Sequence, residues 1–124
     1  MAKKKVLIVD DKEPIRQLVS SILAKDYTVL VAIDGEEAVN MARRQKPDLI
    51  LMDILMPKVD GFTACYTINQ DPATRDIPVV MLTGIDYELN KKLSREIGAQ
   101  GYITKPFSPE DLRATVGRFL KGSA

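Results

Sequence analysis

The sequence predicts an α/β domain: a five-stranded parallel sheet, doubly wound, in strand order 2-1-3-4-5, with helices on both faces. Three observations carry this reading. Short apolar runs at Val6–Val9, Tyr27–Ala32, Leu49–Met52, Val79–Leu82 and around Tyr102-Ile103 alternate with amphipathic stretches. Several runs are apolar at every position and rich in Val, Ile or Leu, as strands covered on both faces require. The order is strand then helix, five times over. Right-handed crossovers then place helices on both faces of an open sheet, with a site outside the strand carboxyl ends where the order reverses, between strands 1 and 3.

Each helix carries its own signals. After the first strand, Ile15, Leu18, Val19, Ile22 and Leu23 form one apolar stripe, and Pro14 stands where a first turn tolerates it. Asp34-Gly-Glu-Glu37 reads as a capping box opening a second helix that Pro47 limits. Asp60 caps a third helix through Phe62 and Ile68, ended before Asp71-Pro72. Leu89, Leu93 and Ile97 recur every four residues in a fourth helix, with Gly98 as its stop. Ser108-Pro109-Glu110-Asp111 supplies an N-cap, an N1 proline and an N3 acid to the last helix, which continues through Leu112, Val116, Phe119 and Leu120.

Composition narrows the function. The 124 residues suit a single domain spanning 1–124 with a core of about 5–120, and 45% hydrophobic with 28% charged residues suits an ordinary globule. Eighteen basic against seventeen acidic residues leave +1, with no electrostatic footprint for direct nucleic-acid binding. No apolar run approaches the ~20 residues of a membrane span, and the Lys3–Lys5 start has no signal-peptide core, so no membrane insertion is expected. Cys65, the single cysteine, has no internal disulfide partner and fits a cytoplasmic setting. The absence of histidine excludes Ser-His-Asp and Cys-His catalysis and His-based zinc sites.

Each strand, followed one step past its end, reaches a polar group. Strand 1 ends in Asp10-Asp11, strand 3 in Asp53, strand 4 in Thr83-Gly84 and strand 5 in Thr104-Lys105-Pro106. Adjacent strands lie roughly 4.8 Å apart, so three carboxylates crowd one crevice. At ~5 Å and an effective dielectric of ~20, each like-charge pair costs about 3 kcal/mol. Three acids against Lys105 leave −2, the charge that one Mg2+ neutralises, and hard oxygen ligands favour Mg2+ or Mn2+ over zinc. Thr83, one strand from Asp53, needs only a short hydroxyl to reach a group attached there. Lys105, two strands away at ~10 Å, needs a long stem. A carboxylate nucleophile, a divalent ion, a hydroxyl and an ammonium form a phosphoryl-transfer site. Without histidine, the phosphoryl donor must be another molecule.

Val9-Asp10-Asp11, Met52-Asp53-Ile-Leu-Met-Pro57-Lys-Val-Asp60-Gly61, Thr83-Gly84 and Lys105-Pro106-Phe107 stand at four successive strand ends. With them, the chain from Val6 to Leu120 resembles the receiver domain of two-component response regulators, of the single-domain chemotaxis-regulator kind with a flavodoxin-like sheet. The resemblance implies a phosphoacceptor and not an enzyme acting on a separate substrate. Asp53 would be phosphorylated by a histidine kinase or a histidine phosphotransfer protein. Mg2+ would be bound by Asp11, Asp53 and the Leu55 carbonyl, with Asp10 helping directly or through water, and Thr83 and Lys105 would bind the phosphoryl oxygens. Tyr102 matches the family's aromatic switch position, coupling the site to the face of the fourth helix, fifth strand and last helix, where a downstream output protein would dock. Lys105-Pro106 matches a peptide bond usually cis in the family. Val59 stands where Met is commoner, and Leu55 offers no hydrogen bond to an attacking water, which implies a long-lived phosphoryl group.

Taken singly, these residues have ordinary readings: Asp10 or Asp11 as a cap of the first helix, Asp53 as a turn residue, Thr83 as a cap, Lys105 as a solvated charge, Tyr102 and Cys65 as packing. Together, at successive strand ends, they do not. A flavodoxin-like cofactor binder needs a Gly/Ser/Thr-rich phosphate loop where this chain has Asp10-Asp11-Lys12-Glu13. An Asp-nucleophile phosphatase needs an acid two residues after Asp53, where Leu55 stands. No output module is expected within 1–124, so the chain either docks onto a partner or is a receiver excised from a larger regulator.

Overall fold

In the computed structural model the described residues are 3–54, 56, 58–84, 92 and 95–120, the Thr83 side chain excepted. The elements run β1 (Lys5–Val9), α1 (Glu13–Leu23), β2 (Thr28–Ala32), α2 (Gly35–Gln45), β3 (Leu49–Asp53), α3 (Gly61–Gln70), β4 (Val79–Thr83), β5 (Gly101–Thr104) and a C-terminal helix (Pro109–Leu120). All five strands pair in parallel, in the order β2-β1-β3-β4-β5. Leu89 and Leu93 of the expected fourth helix lie outside the described residues. Gly98, its expected stop, has φ 97°, a conformation other side chains rarely adopt.

The period-2 alternation of the strands sorts the core into two layers. Val6, Ile8, Leu49, Leu51, Val80, Leu82 and Ile103 face α1 and the C-terminal helix, meeting Val19, Leu23, Leu112 and Val116. Leu7, Val9, Ile50, Met52, Val79 and Met81 face α2 and α3, meeting Ala38, Ala42, Ala64, Cys65 and Ile68. The small residues on α2 and α3 allow close approach to the sheet. Coverage on both faces holds for β1, β3 and β4. The expectation weakens at the edge strand β2, where Val31 is exposed.

Among the described helices, the starts follow the capping logic with one exception. Asp34 accepts from the Glu37 backbone N–H at 2.8 Å, while the Glu37 carboxylate accepts from Ile33 N–H at 3.2 Å. Asp60 accepts from Thr63 N–H at 2.8 Å. Ser108 and Asp111 cap each other, the Ser108 hydroxyl accepting from Asp111 N–H at 3.0 Å. The exception is α1, whose N-cap is Lys12, without a side-chain cap bond. Neither Asp10 nor Asp11 takes that place, which leaves both carboxylates at the strand end.

Candidate functional site

Register brings the acids together. Val9 pairs with Met52 across β1 and β3, so the next residues, Asp10 and Asp53, are neighbours at the carboxyl edge. Both follow the layer of Ile8 and Leu51, and Lys105 follows that of Ile103, so strand alternation turns all three toward one side of the sheet. Asp10 is completely buried and Asp53 is 5% exposed. Asp11 lies at the mouth, and one carboxylate oxygen from each of Asp10, Asp11 and Asp53 lies within 4.8 Å of the others.

Lys105 reaches back across the sheet edge as its stem length allows. Its Nζ donates to Asp10 Oδ2 at 3.0 Å and to Asp53 Oδ1 at 3.2 Å. The Lys105-Pro106 peptide bond is cis. Asp10 is held further by its own turn: Oδ1 accepts from Lys12 N–H at 2.9 Å, and its carbonyl accepts from Arg16 Nη1 at 2.8 Å. Asp53 Oδ2 is buried without a hydrogen-bond partner. Burial and the adjacent Asp10 carboxylate raise the Asp53 pKa above the ordinary carboxylate value, against the opposing pull of Lys105 and Lys12.

The loop beyond β3 is pinned by two close approaches. Gly61 N–H donates to Ile54 O at 2.8 Å, and a Cβ at Gly61 would collide with the Asp53 carbonyl. Gly35 N–H donates to Val59 O at 3.1 Å, and a Cβ there would meet that same oxygen. The start of α2 thus braces the segment that follows Asp53.

Of the remaining sequence-selected residues, Thr83 ends β4 one step beyond Leu82, the register partner of Asp53, and its backbone pairs with Thr104. Its side chain and Leu55 lie outside the described residues. Tyr102 lies on β5 opposite Met81 and is partly exposed. Cys65 is buried, which pushes its thiol pKa to about 11. Sequence reasoning gave Lys12 no role, yet its Nζ lies 3.2 Å from Asp11 Oδ1 and 3.7 Å from Asp53 Oδ2. Partial burial works against the Lys12 charge, but the bond to Asp11 and the neighbouring carboxylates outweigh it and raise the Lys12 pKa. With two ammonium groups facing three carboxylates, the local charge is −1 instead of the −2 expected from Lys105 alone.

The donor set fits a hard divalent cation: three clustered carboxylates, one of them with a buried oxygen that has no hydrogen-bond partner. Among the described residues no helix is long and apolar enough to cross a membrane.

Residues 6–117 match the response regulator receiver domain family. Over 121 residues the chain is 44% identical to the alkaline phosphatase synthesis transcriptional regulatory protein PhoP of Bacillus subtilis, covering 97% of this chain and 50% of PhoP. The chain thus spans about half the length of the curated relatives it matches here. Among solved structures, chemotaxis protein CheY4 of Vibrio cholerae superposes with a TM-score of 0.91 at 38% identity, covering 96% of this chain and all of CheY4. The receiver domain of sensor histidine kinase PA1611 from Pseudomonas aeruginosa, solved with a magnesium ion coordinated in its active-site cleft, gives 0.88 at 29% identity, covering 96% and 98% of the two chains.

Proposed function

The chain belongs to the response regulator receiver family of two-component systems, whose standard function is phosphotransfer, and from that premise we propose that Asp53 is the residue that accepts the phosphoryl group. The observation that supports this most is the asymmetry of the Asp53 carboxylate: Oδ1 is held by Lys105, while Oδ2 is buried and has no hydrogen bond. Lys105 fixes one carboxylate oxygen and so orients Asp53 for attack on phosphorus. Asp53 attacks the phosphorus of a partner's phosphohistidine, a P–O bond forms, the P–N bond breaks, and its electron pair returns to the imidazole nitrogen.

Asp10, Asp11 and Asp53, with the Leu55 carbonyl, would hold Mg2+, with Mn2+ as a substitute. When bound, the cation supplies charge neutralisation on the transferring oxygens. Lys105 adds a fixed positive charge, and the Thr83 hydroxyl donates to a phosphoryl oxygen. The transfer adds charge and acceptor oxygens beside Lys105. Shifting a 1:99 equilibrium to 99:1 takes about 5.5 kcal/mol. Two or three charge-assisted hydrogen bonds at ~1.5–3 kcal/mol each supply it. As Thr83 moves inward, Tyr102 turns into the space released, remodelling the β5 surface that a downstream output protein reads.

Residues 1–124 act as one receiver unit in the cytoplasm. A histidine kinase or histidine phosphotransfer protein is the donor. The output is a docked partner or, as the length of the relatives suggests, a module of a larger regulator. Incubation with a phosphohistidine donor and Mg2+ should label the wild-type chain, and Asp53→Ala should abolish the label. Labelling that persists in Asp53→Ala removes Asp53 from the acceptor role.

A further inference from the structure

Among the described residues, Lys12 is a charged group at the mouth of this site that the phosphotransfer scheme leaves without a task. Its backbone is fixed: its N–H donates to Asp10 Oδ1 at 2.9 Å, and its carbonyl accepts from Ile15 and Arg16 N–H at 3.2 Å each. That anchoring aims the side chain across the mouth of the acidic crevice, where Nζ meets Asp11 Oδ1 at 3.2 Å and Asp53 Oδ2 at 3.7 Å. The two lysines differ in kind. Lys105 is mostly enclosed and holds Asp10 and Asp53 from within, whereas the Lys12 side chain is 57% exposed and approaches from solvent. Its carboxylate partners are two of the three that the proposed divalent site uses.

We infer that Lys12 is an internal counter-ion that competes with the divalent cation for Asp11 and Asp53, and so sets the Mg2+ concentration at which the receiver becomes competent. The inference rests on the metal reading given above. An ammonium on a flexible four-carbon stem neutralises the carboxylates without closing the site, because it swings into water when a doubly charged ion takes its partners. A cation arriving while Lys12 stays in place meets a local charge of only −1; once Lys12 withdraws it meets −2. Lys105, tied to two buried carboxylates, cannot withdraw in this way. Lys12 is thus a residue that tunes metal affinity and not a ligand or a phosphoryl-binding group.

The test is calorimetric titration of the full chain with MgCl2 at low and high ionic strength, comparing wild type, Lys12→Met and Lys12→Arg. Two ion pairs made by a largely exposed lysine predict that Lys12→Met binds Mg2+ about three- to tenfold more tightly at low salt. The difference should shrink at ~1 M salt, where screening shortens to ~3 Å, and Lys12→Arg should stay near wild type. Lys12→Met should also unfold at lower urea in the absence of Mg2+ and match wild type at saturating Mg2+. Unchanged or weaker Mg2+ binding by Lys12→Met, or a gain independent of salt, overturns the competition while leaving the metal site intact. A wild-type chain that binds no Mg2+ at millimolar concentration overturns the metal reading itself, and the inference with it.

Discussion

Replacing Lys105 with methionine removes one ammonium and keeps an unbranched stem, which isolates the electrostatics of the site. That ammonium lies 3.0 Å from Asp10 Oδ2 and 3.2 Å from Asp53 Oδ1. At an effective dielectric of ~20, each contact corresponds to about 5 kcal/mol of gross attraction, and two carboxylates at ~4.8 Å repel by about 3.5 kcal/mol. Part of the attraction is already offset by the cost of dehydrating the lysine. Removing one partner of a buried pair costs about 3–5 kcal/mol. Because Lys105 is 18% exposed and Lys12 stands nearby, the expected loss at pH 7 is about 2–4 kcal/mol. A loss of that size leaves a domain of ordinary stability folded.

The pH dependence follows from the direction of the Asp53 shift. The folded-state pKa of Asp53 already lies above its unfolded value, and without Lys105 it rises further. An acid whose folded pKa is raised loses stability as pH climbs from the unfolded pKa through the folded one. The deficit of Lys105→Met should therefore be complete near pH 7 and close as pH falls toward about 4. Urea unfolding followed by far-ultraviolet circular dichroism measures it at both ends. An equal deficit at both pH values would refute the electrostatic reasoning and assign the effect of Lys105 to packing.

Asp53→Asn should unfold at higher urea than wild type at pH 7, because it removes a charge that burial and Asp10 disfavour; the gain should vanish near pH 4, and urea midpoints across that range measure both ends. Gly61→Ala should cost roughly 2 kcal/mol or more in urea unfolding, since its Cβ meets the Asp53 backbone and not a side chain that could turn away. The same variant should weaken Mg2+ binding in calorimetric titration by displacing the Asp53 loop. Thr83→Ala should leave phosphorylation intact but weaken partner binding, read by comparing binding of the output protein to phosphorylated wild type and variant.

Much of this site was legible because its decisive contacts are fixed by strand register. Asp10 and Asp53 each follow directly on an apolar run, so aligning Val9 with Met52 makes them neighbours without side-chain detail. The stem length of Lys105 against two strand spacings foretold its reach. Capping at Asp34, Asp60 and Ser108 was legible for the same reason, being local in the chain. Lys12 was not, because its direction depends on its becoming the N-cap of α1 in place of Asp10 or Asp11. A charge in a loop has no periodicity to betray where it points. The contacts of Gly35 with Val59 and of Gly61 with Asp53 were equally hidden, since they join segments whose approach only the assembled layers determine. The exposure of Val31 reflects the edge position of β2, which the composition of a single run does not record.

An aspartyl phosphate is an acyl phosphate, and borohydride reduces it to the alcohol, converting the modified aspartate to homoserine. Phosphorylated chain, reduced in this way and sequenced by mass spectrometry, should carry homoserine at position 53 and at no other aspartate. Homoserine at position 10 or 11, or phosphate retained on a hydroxyl side chain, would contradict the assignment of Asp53 as the acceptor.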